Sequence, residues 1–138
     1  MRGAGDKVRG AADIASFIRE HYSGRLVEVG IGRRSDVADL LAGLDLVATD
    51  RENRRIGYIE VVGDDIFNPN LEIYQGASLI YSIRPTMEMQ LALGRLACMV
   101  GADLLIRPLG DEIADLARMK RQLVNRGWGR FYLFRPER

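Results

Sequence analysis

Eight residues of this 138-residue chain have types and positions suited to holding a ligand: Glu28, Gly30, Gly32, Asp50, Asp64, Asp65, Arg84 and Arg107. The first three sit in Leu26-Val27-Glu28-Val29-Gly30-Ile31-Gly32. A carboxylate inside an apolar run is costly unless it finds a partner. The two glycines let the backbone turn with positive φ and approach a ligand that a Cβ would keep away. Asp50 ends a second apolar run 20 residues beyond Gly30, the distance at which an acid meets a ribose in dinucleotide-binding folds. Arg84 and Arg107 each stand in Ile-Arg-Pro, at the ends of two further apolar runs.

Each of these residues has a competing structural role. Glu28 can pair with Arg33, Arg84 or Arg107, since arginine forks suit a buried carboxylate. Asp50 can cap a turn. The adjacent carboxylates of Asp64 and Asp65 point in different directions and have no third acid, which suits a turn or a contact beside a base ring better than a metal pair. The prolines hold the preceding residue extended, so Arg84 and Arg107 project over one cleft and grip an anion, or else pair with Glu28, Asp64 or Asp65. His21 and Cys98 are each the sole residue of their type, which argues against zinc and disulfides. We assign no metal site, and no catalytic residue is identifiable.

The elements that must position these residues follow from periodicity and punctuation. Helices are expected over 11–22, from Ser35 to Gly43, over 68–76, from Thr86 to Gly101 and over 111–126, the last being the most regular. Strands are expected over 25–29, 44–49, 58–62, 77–83, 102–106 and 129–134. The polar stretch 51–57 is too short for a helical crossover between parallel strands, so it reads as a helix pared to a turn, with an antiparallel 58–62 strand as the alternative. Residues 1–10 are expected to fray. Trp128, Phe131, Tyr132 and Phe134 read as core and edge packing rather than a nucleic-acid stacking platform. The result is one α/β domain over 1–138, a Rossmann-like three-layer sandwich with a mostly parallel central sheet and helices on both faces. In such sheets ligands bind beyond the carboxyl ends of the strands, where strand order reverses.

With those residues in view, the arrangement resembles the class I S-adenosylmethionine-dependent methyltransferases over roughly residues 11–107. The acid two residues before a Gly-x-Gly turn (Glu28, Gly30, Gly32), the acid ending the second strand (Asp50) and an acid after the third (Asp64 or Asp65) carry the resemblance. It implies S-adenosylmethionine as the cofactor: Glu28 on its amino group, Gly30 and Gly32 beside the methionine part, Asp50 on the ribose and Asp64 or Asp65 near the adenine. Asp64-Asp65-Ile66-Phe67-Asn68-Pro69 and Leu79-Ile80-Tyr81-Ser82-Ile83-Arg84-Pro85 also resemble a set of short uncharacterised archaeal proteins with the same core. Three features depart from the methyltransferase pattern. Arg34 stands where a third glycine is common, Tyr81-Ser82-Ile83-Arg84-Pro85 replaces Asn-Pro-Pro-Tyr, and the chain is expected to end before the usual closing strand pair.

Composition limits the remaining readings. A formal net charge of +1 provides no global attraction to nucleic acid or membrane. No apolar run reaches a membrane span, and the absence of a signal-peptide core makes the cytoplasm the expected compartment. The expected partners are a small nucleotide-type ligand and an anionic substrate. Two rivals stand beside a minimal methyltransferase: an NAD(P)-binding protein, with Ser35 near the third glycine position of its fingerprint, and a non-catalytic Rossmann-like interaction module.

Overall fold

The computed structural model describes residues 8–137, and the first seven of the residues expected to fray lie outside them. Val8 is buried, and its amide donates to Asp36 Oδ2 at 2.6 Å. Eight strands form one sheet: β1 (Arg25–Val29), β2 (Leu46–Asp50), β3 (Arg54–Ile56), β4 (Ile59–Gly63), β5 (Ala77–Ile83), β6 (Asp103–Arg107), β7 (Met119–Arg126) and β8 (Gly129–Pro136). Their order is β3-β4-β2-β1-β5-β6-β8-β7. The block β4-β2-β1-β5-β6 is parallel, while β3 joins β4, and β8 joins both β6 and β7, in antiparallel pairs. The sheet is therefore mixed rather than mostly parallel.

Helices cover both faces because the buried strands are apolar on both sides. Leu26, Leu79, Tyr81 and Leu105 face α1 (Ala11–His21) and α2 (Asp36–Asp39), meeting Ile14, Ile18, Val37 and Leu41. Val27, Val29, Ile80, Leu104 and Ile106 face α3 (Leu71–Tyr74) and α4 (Met87–Val100), meeting Tyr74, Leu93 and Leu96. Thr86 caps α4 as expected, its hydroxyl accepting from the Met89 amide at 3.1 Å. Gly101 ends that helix in the left-handed region at φ 74. The helix expected from Ser35 to Gly43 is one turn only.

Two expectations fail for identifiable reasons. The 51–57 stretch is neither a pared helix nor a simple turn. The chain leaves β2, passes over one strand position, runs back as β3 and turns at Gly57 into β4. That hairpin allows β4 to lie parallel to β2 without a helical crossover. The second failure is the 111–126 helix. Ile113, Leu116 and Met119 fall at helical spacing, yet β7 begins at Met119 and pairs along its whole length with β8 through a two-residue turn at Gly127-Trp128. This is the closing strand pair that the chain was expected to lack. β7 is an edge strand whose exposed Lys120 and Arg121 suit a position that must resist further pairing. Phe131 and Phe134 are buried as expected, but Trp128 is 71% exposed on the turn, with the Arg9 guanidinium 4.5 Å from its ring centre.

Gln90 holds the segment before β7 out of a helix. Its side chain is fully buried on α4, donates to the Glu112 carbonyl at 2.9 Å and accepts from the Ala114 amide at 2.8 Å. Replacing it with leucine leaves the buried Ala114 amide without a partner, at a cost of about 1–3 kcal/mol, and releases the part-buried Glu112 carbonyl. Gln90→Leu is thus expected to lower the urea midpoint and to speed amide hydrogen exchange over 112–119. Unchanged exchange there would show that the segment is held by other contacts.

Candidate functional site

The glycine turn follows β1 because its backbone must leave the sheet at once. Gly30 and Gly32 have φ values of 71 and 58, which L side chains rarely adopt. A Cβ on Gly30 would also stand 3.2 Å from Met89 Cε in the first turn of α4. Three amides of the turn are engaged. Gly30 and Ile31 donate to the Thr49 carbonyl at 2.9 and 3.1 Å, and Gly32 donates to Asp50 Oδ2 at 3.0 Å.

Asp50 is the centre of this network. Its Oδ1 accepts from the Arg51 amide at 2.9 Å, and its Oδ2 faces Arg54 Nη2 at 3.0 Å. Arg54 also donates to the Gly32 carbonyl, so one guanidinium from β3 grips both the acid and the turn. Partial burial pushes the Asp50 carboxyl upward, but the Arg51 amide, Arg54 and the Gly32 amide together hold it below its ordinary value. It stays ionised at neutral pH.

A cavity of about 250 Å³ opens here at the carboxyl ends of β1, β2 and β4. Gly30, Asp50, Asp64 and Asp65 line it together with Met89 and Phe67. A shallower hollow of about 550 Å³ adjoins it and shares Arg51, Asp64, Asp65 and Phe67. Asp64 has both oxygens committed, accepting from the Asn70 amide at 2.9 Å and the Tyr74 hydroxyl at 2.6 Å. Asp65 uses Oδ1 for the Phe67 amide at 2.9 Å. Arg54, Met89 and Phe67 were not singled out by the sequence. Arg54 reaches the turn only because β3 folds back, and no local pattern foretells that.

Arg84 and Arg107 lie on the other side of the β1 turn, at the ends of β5 and β6. The Arg84 amide donates to the Arg107 carbonyl at 2.7 Å. Arg84 is not extended before its proline but left-handed, at φ 59. Neither arginine forms a salt bridge among the described residues, so the alternative pairing with Glu28, Asp64 or Asp65 is not made.

Glu28 lies beneath the turn, 1% exposed, and does not line the cavity. Its strand neighbour is Tyr81, and neither Glu28 Oε1 nor the Tyr81 hydroxyl has a hydrogen bond of normal geometry. Burial raises the Glu28 carboxyl to about 8; the nearby Tyr81 hydroxyl offsets part of that, while Asp36 and Asp39 add to it. Between pH 4.5 and about 8 the folded chain therefore holds a proton that the unfolded chain has released. Stability falls as pH rises through that window, by up to about 1.4 kcal/mol per pH unit. Glu28→Gln is expected to remove this slope and to raise the urea midpoint most at pH 8. Parallel midpoint curves for wild type and variant from pH 5 to 8 would show that Glu28 is ionised in the folded chain.

Comparison with known proteins bears on the fold and the family. An rRNA methylase from Streptococcus thermophilus superposes with a TM-score of 0.63 at 15% identity, covering 95% of this chain and 98% of that one. The N-terminal domain of EvdMO1, solved with SAH bound, superposes with a TM-score of 0.59 at 15% identity, covering 100% of this chain and 70% of that one. The chain shares its Rossmann-like α/β fold with these structures and with a putative S-adenosylmethionine-dependent methyltransferase from Methanococcus maripaludis. The latter superposes with a TM-score of 0.60 at 13% identity, covering 90% of this chain and 83% of that one. In sequence, the UPF0146 protein of Archaeoglobus fulgidus is 46% identical over 127 residues, 90% of this chain and 94% of the relative. A model of the uncharacterised protein family UPF0146 matches residues 11–136, and the chain belongs to that family.

Proposed function

We propose that the cavity beside the glycine turn binds S-adenosylmethionine or a close adenosine relative, and that the protein is a minimal methyltransferase. The observation that carries this reading is the convergence of Gly30, Asp50 and Asp65 on one cavity at the carboxyl ends of β1, β2 and β4. Ionised Asp50 accepts from the ribose hydroxyls. Asp50 Oδ1 accepts only the Arg51 amide and keeps a lone pair for the ribose. Asp65, which accepts only from Phe67, keeps more of its lone pairs for the adenine side than Asp64, which accepts from Asn70 and Tyr74. Phe67, 55% exposed and shared by both hollows, offers an apolar wall to the ring. Gly30 admits the methionine part where a Cβ would crowd Met89. Glu28 acts on the amino group from beneath the turn, since a cation above it favours its ionised form. When bound, such a ligand supplies an electrophilic methyl group, and positioning of an acceptor suffices to promote its transfer to a good nucleophile.

The same geometry weighs against a dinucleotide. A pyrophosphate needs free amides at the glycine turn and the start of a helix. Here the Gly30, Ile31 and Gly32 amides are already taken, and α2 has only four residues. Three carboxylates at the cavity suit a cationic sulfonium ligand better than a polyanion.

Calorimetric titration with S-adenosylmethionine and with S-adenosylhomocysteine tests the reading. Asp50→Asn is expected to weaken binding by roughly tenfold, a loss of about 1.4 kcal/mol, and Gly30→Val to abolish it. At pH 7 the heat should depend on the buffer, because Glu28 releases its proton as the amino group arrives. Binding of nicotinamide dinucleotides without either adenosine ligand would overturn the assignment. A complete lack of small-ligand heat would favour the interaction-module reading.

A further inference from the structure

The corner formed by Arg84 and Arg107 has no part in the adenosine site, yet its construction is unusual. Arg84 is one of two non-glycine residues with positive φ among those described, and its Nε is buried without a partner. Arg107 is half-buried and donates from Nη1 only to its neighbour's carbonyl, Pro108 O, at 2.8 Å. Burial, and then the charge of Arg84, lowers the Arg107 guanidinium from its ordinary value, so the two cations sense each other with no acid interposed. Arg107 also borders a hollow of about 140 Å³ with Pro108, Gly110 and Arg130. Arg130 is paired with Asp111 at 3.2 Å, which leaves that acid engaged elsewhere.

Two partly buried like charges repel unless an anion lies between them. The folded chain nonetheless fastens them together, through the 2.7 Å bond from the Arg84 amide to the Arg107 carbonyl. Strand order places the corner as well. The chain passes outward from β1 to β2 and β4, then returns to β5 on the other side, so order reverses between β1 and β5. Ligands bind at that point. Gly30 ends one side of it and Arg84 the other, and Met89, five residues past Arg84, lines the adenosine cavity.

We infer that Arg84 and Arg107 form an oxyanion subsite for a phosphate or carboxylate group of a small second ligand, held next to the cavity at Gly30. Guanidinium forks match both groups bidentately. A small ligand fits better than a nucleic-acid backbone, because the two cations are partly buried at adjoining strand ends rather than spread along an exposed basic stripe. That the second ligand meets an adenosine compound rests on the proposed function; the anion site itself does not.

The test uses the full chain without any adenosine ligand. Inorganic phosphate and, separately, succinate are titrated against chloride of matched ionic strength, with the thermal midpoint as readout. Wild type should gain stability with at least one of them, and the responding anion names the group. In Arg84→Gly/Arg107→Gln the response should weaken by roughly tenfold. Glycine suits the left-handed backbone at 84, so this variant should fold at least as stably in chloride. Its affinity for S-adenosylmethionine should stay within about threefold of wild type, a difference below 1 kcal/mol. An equal response in both proteins, or none in wild type, overturns the subsite. So does binding of single-stranded RNA that depends on the two arginines while phosphate and succinate have no effect. Anion binding without S-adenosylmethionine binding would sink the proposed function and leave the subsite standing.

Discussion

The Asp50 carboxylate ties together three pieces of chain: the glycine turn, the start of the 51–57 stretch and β3. One oxygen takes the Gly32 amide from the turn after β1 and the Arg54 guanidinium from β3. The other takes the Arg51 amide. Without that acid, the Gly32 amide would lose its partner, and Arg54 would hold the turn only through the Gly32 carbonyl. A charge-assisted bond to a backbone amide is stronger than a neutral one, and this one is partly shielded from solvent. The shape of the cavity therefore depends on the residue to which the proposed function gives the ribose contact.

Charge is distributed unequally around the glycine turn. Asp50, Asp64 and Asp65 lie toward β2 and β4, while Arg84 and Arg107 lie toward β5 and β6. A ligand spanning the β1 end experiences a field that favours its cationic part on one side and an anionic companion on the other. Under the proposed function, such a gradient sets the adenosine ligand and its anionic companion on opposite sides of the turn. The formal net charge of +1 conceals it, because opposite local charges cancel in the sum.

What the sequence revealed and what it hid divide along local and non-local lines. The glycine turn, the Thr86 cap and the Gly101 stop are decided within a few residues, and each was readable. Asp50 was readable because it ends a strand at a recognisable distance from the turn. The 111–126 segment misled because Leu116 and Met119 are apolar for a tertiary reason: they pack into the cluster beneath α4, and Leu116 sits against Gly94. Their spacing imitates a helix, while Gln90, more than 20 residues away, engages the backbone groups a helix would need. Arg54 and Phe67 were invisible for the same reason, since both join the site through a fold-back or a loop that spacing does not encode. Arg84 was visible, but proline statistics pointed to an extended residue where the chain adopts a left-handed one.

The departures from local consistency concentrate in one place. Among the described residues, the buried polar side-chain atoms without a partner are Glu28 Oε1, Tyr81 Oη, Arg34 Nη1 and Arg84 Nε. All four belong to β1, β5 or the segments that leave their carboxyl ends. Nearly all buried polar groups in folded proteins are satisfied, so orphans grouped around one feature carry information. The strands that hold the orphans flank the reversal of strand order, where such sheets keep their ligands. Burial without partners, a left-handed arginine and a carboxyl held protonated by burial all cost stability. Their concentration at this one point is what a chain shows when local stability yields to the binding of something from outside.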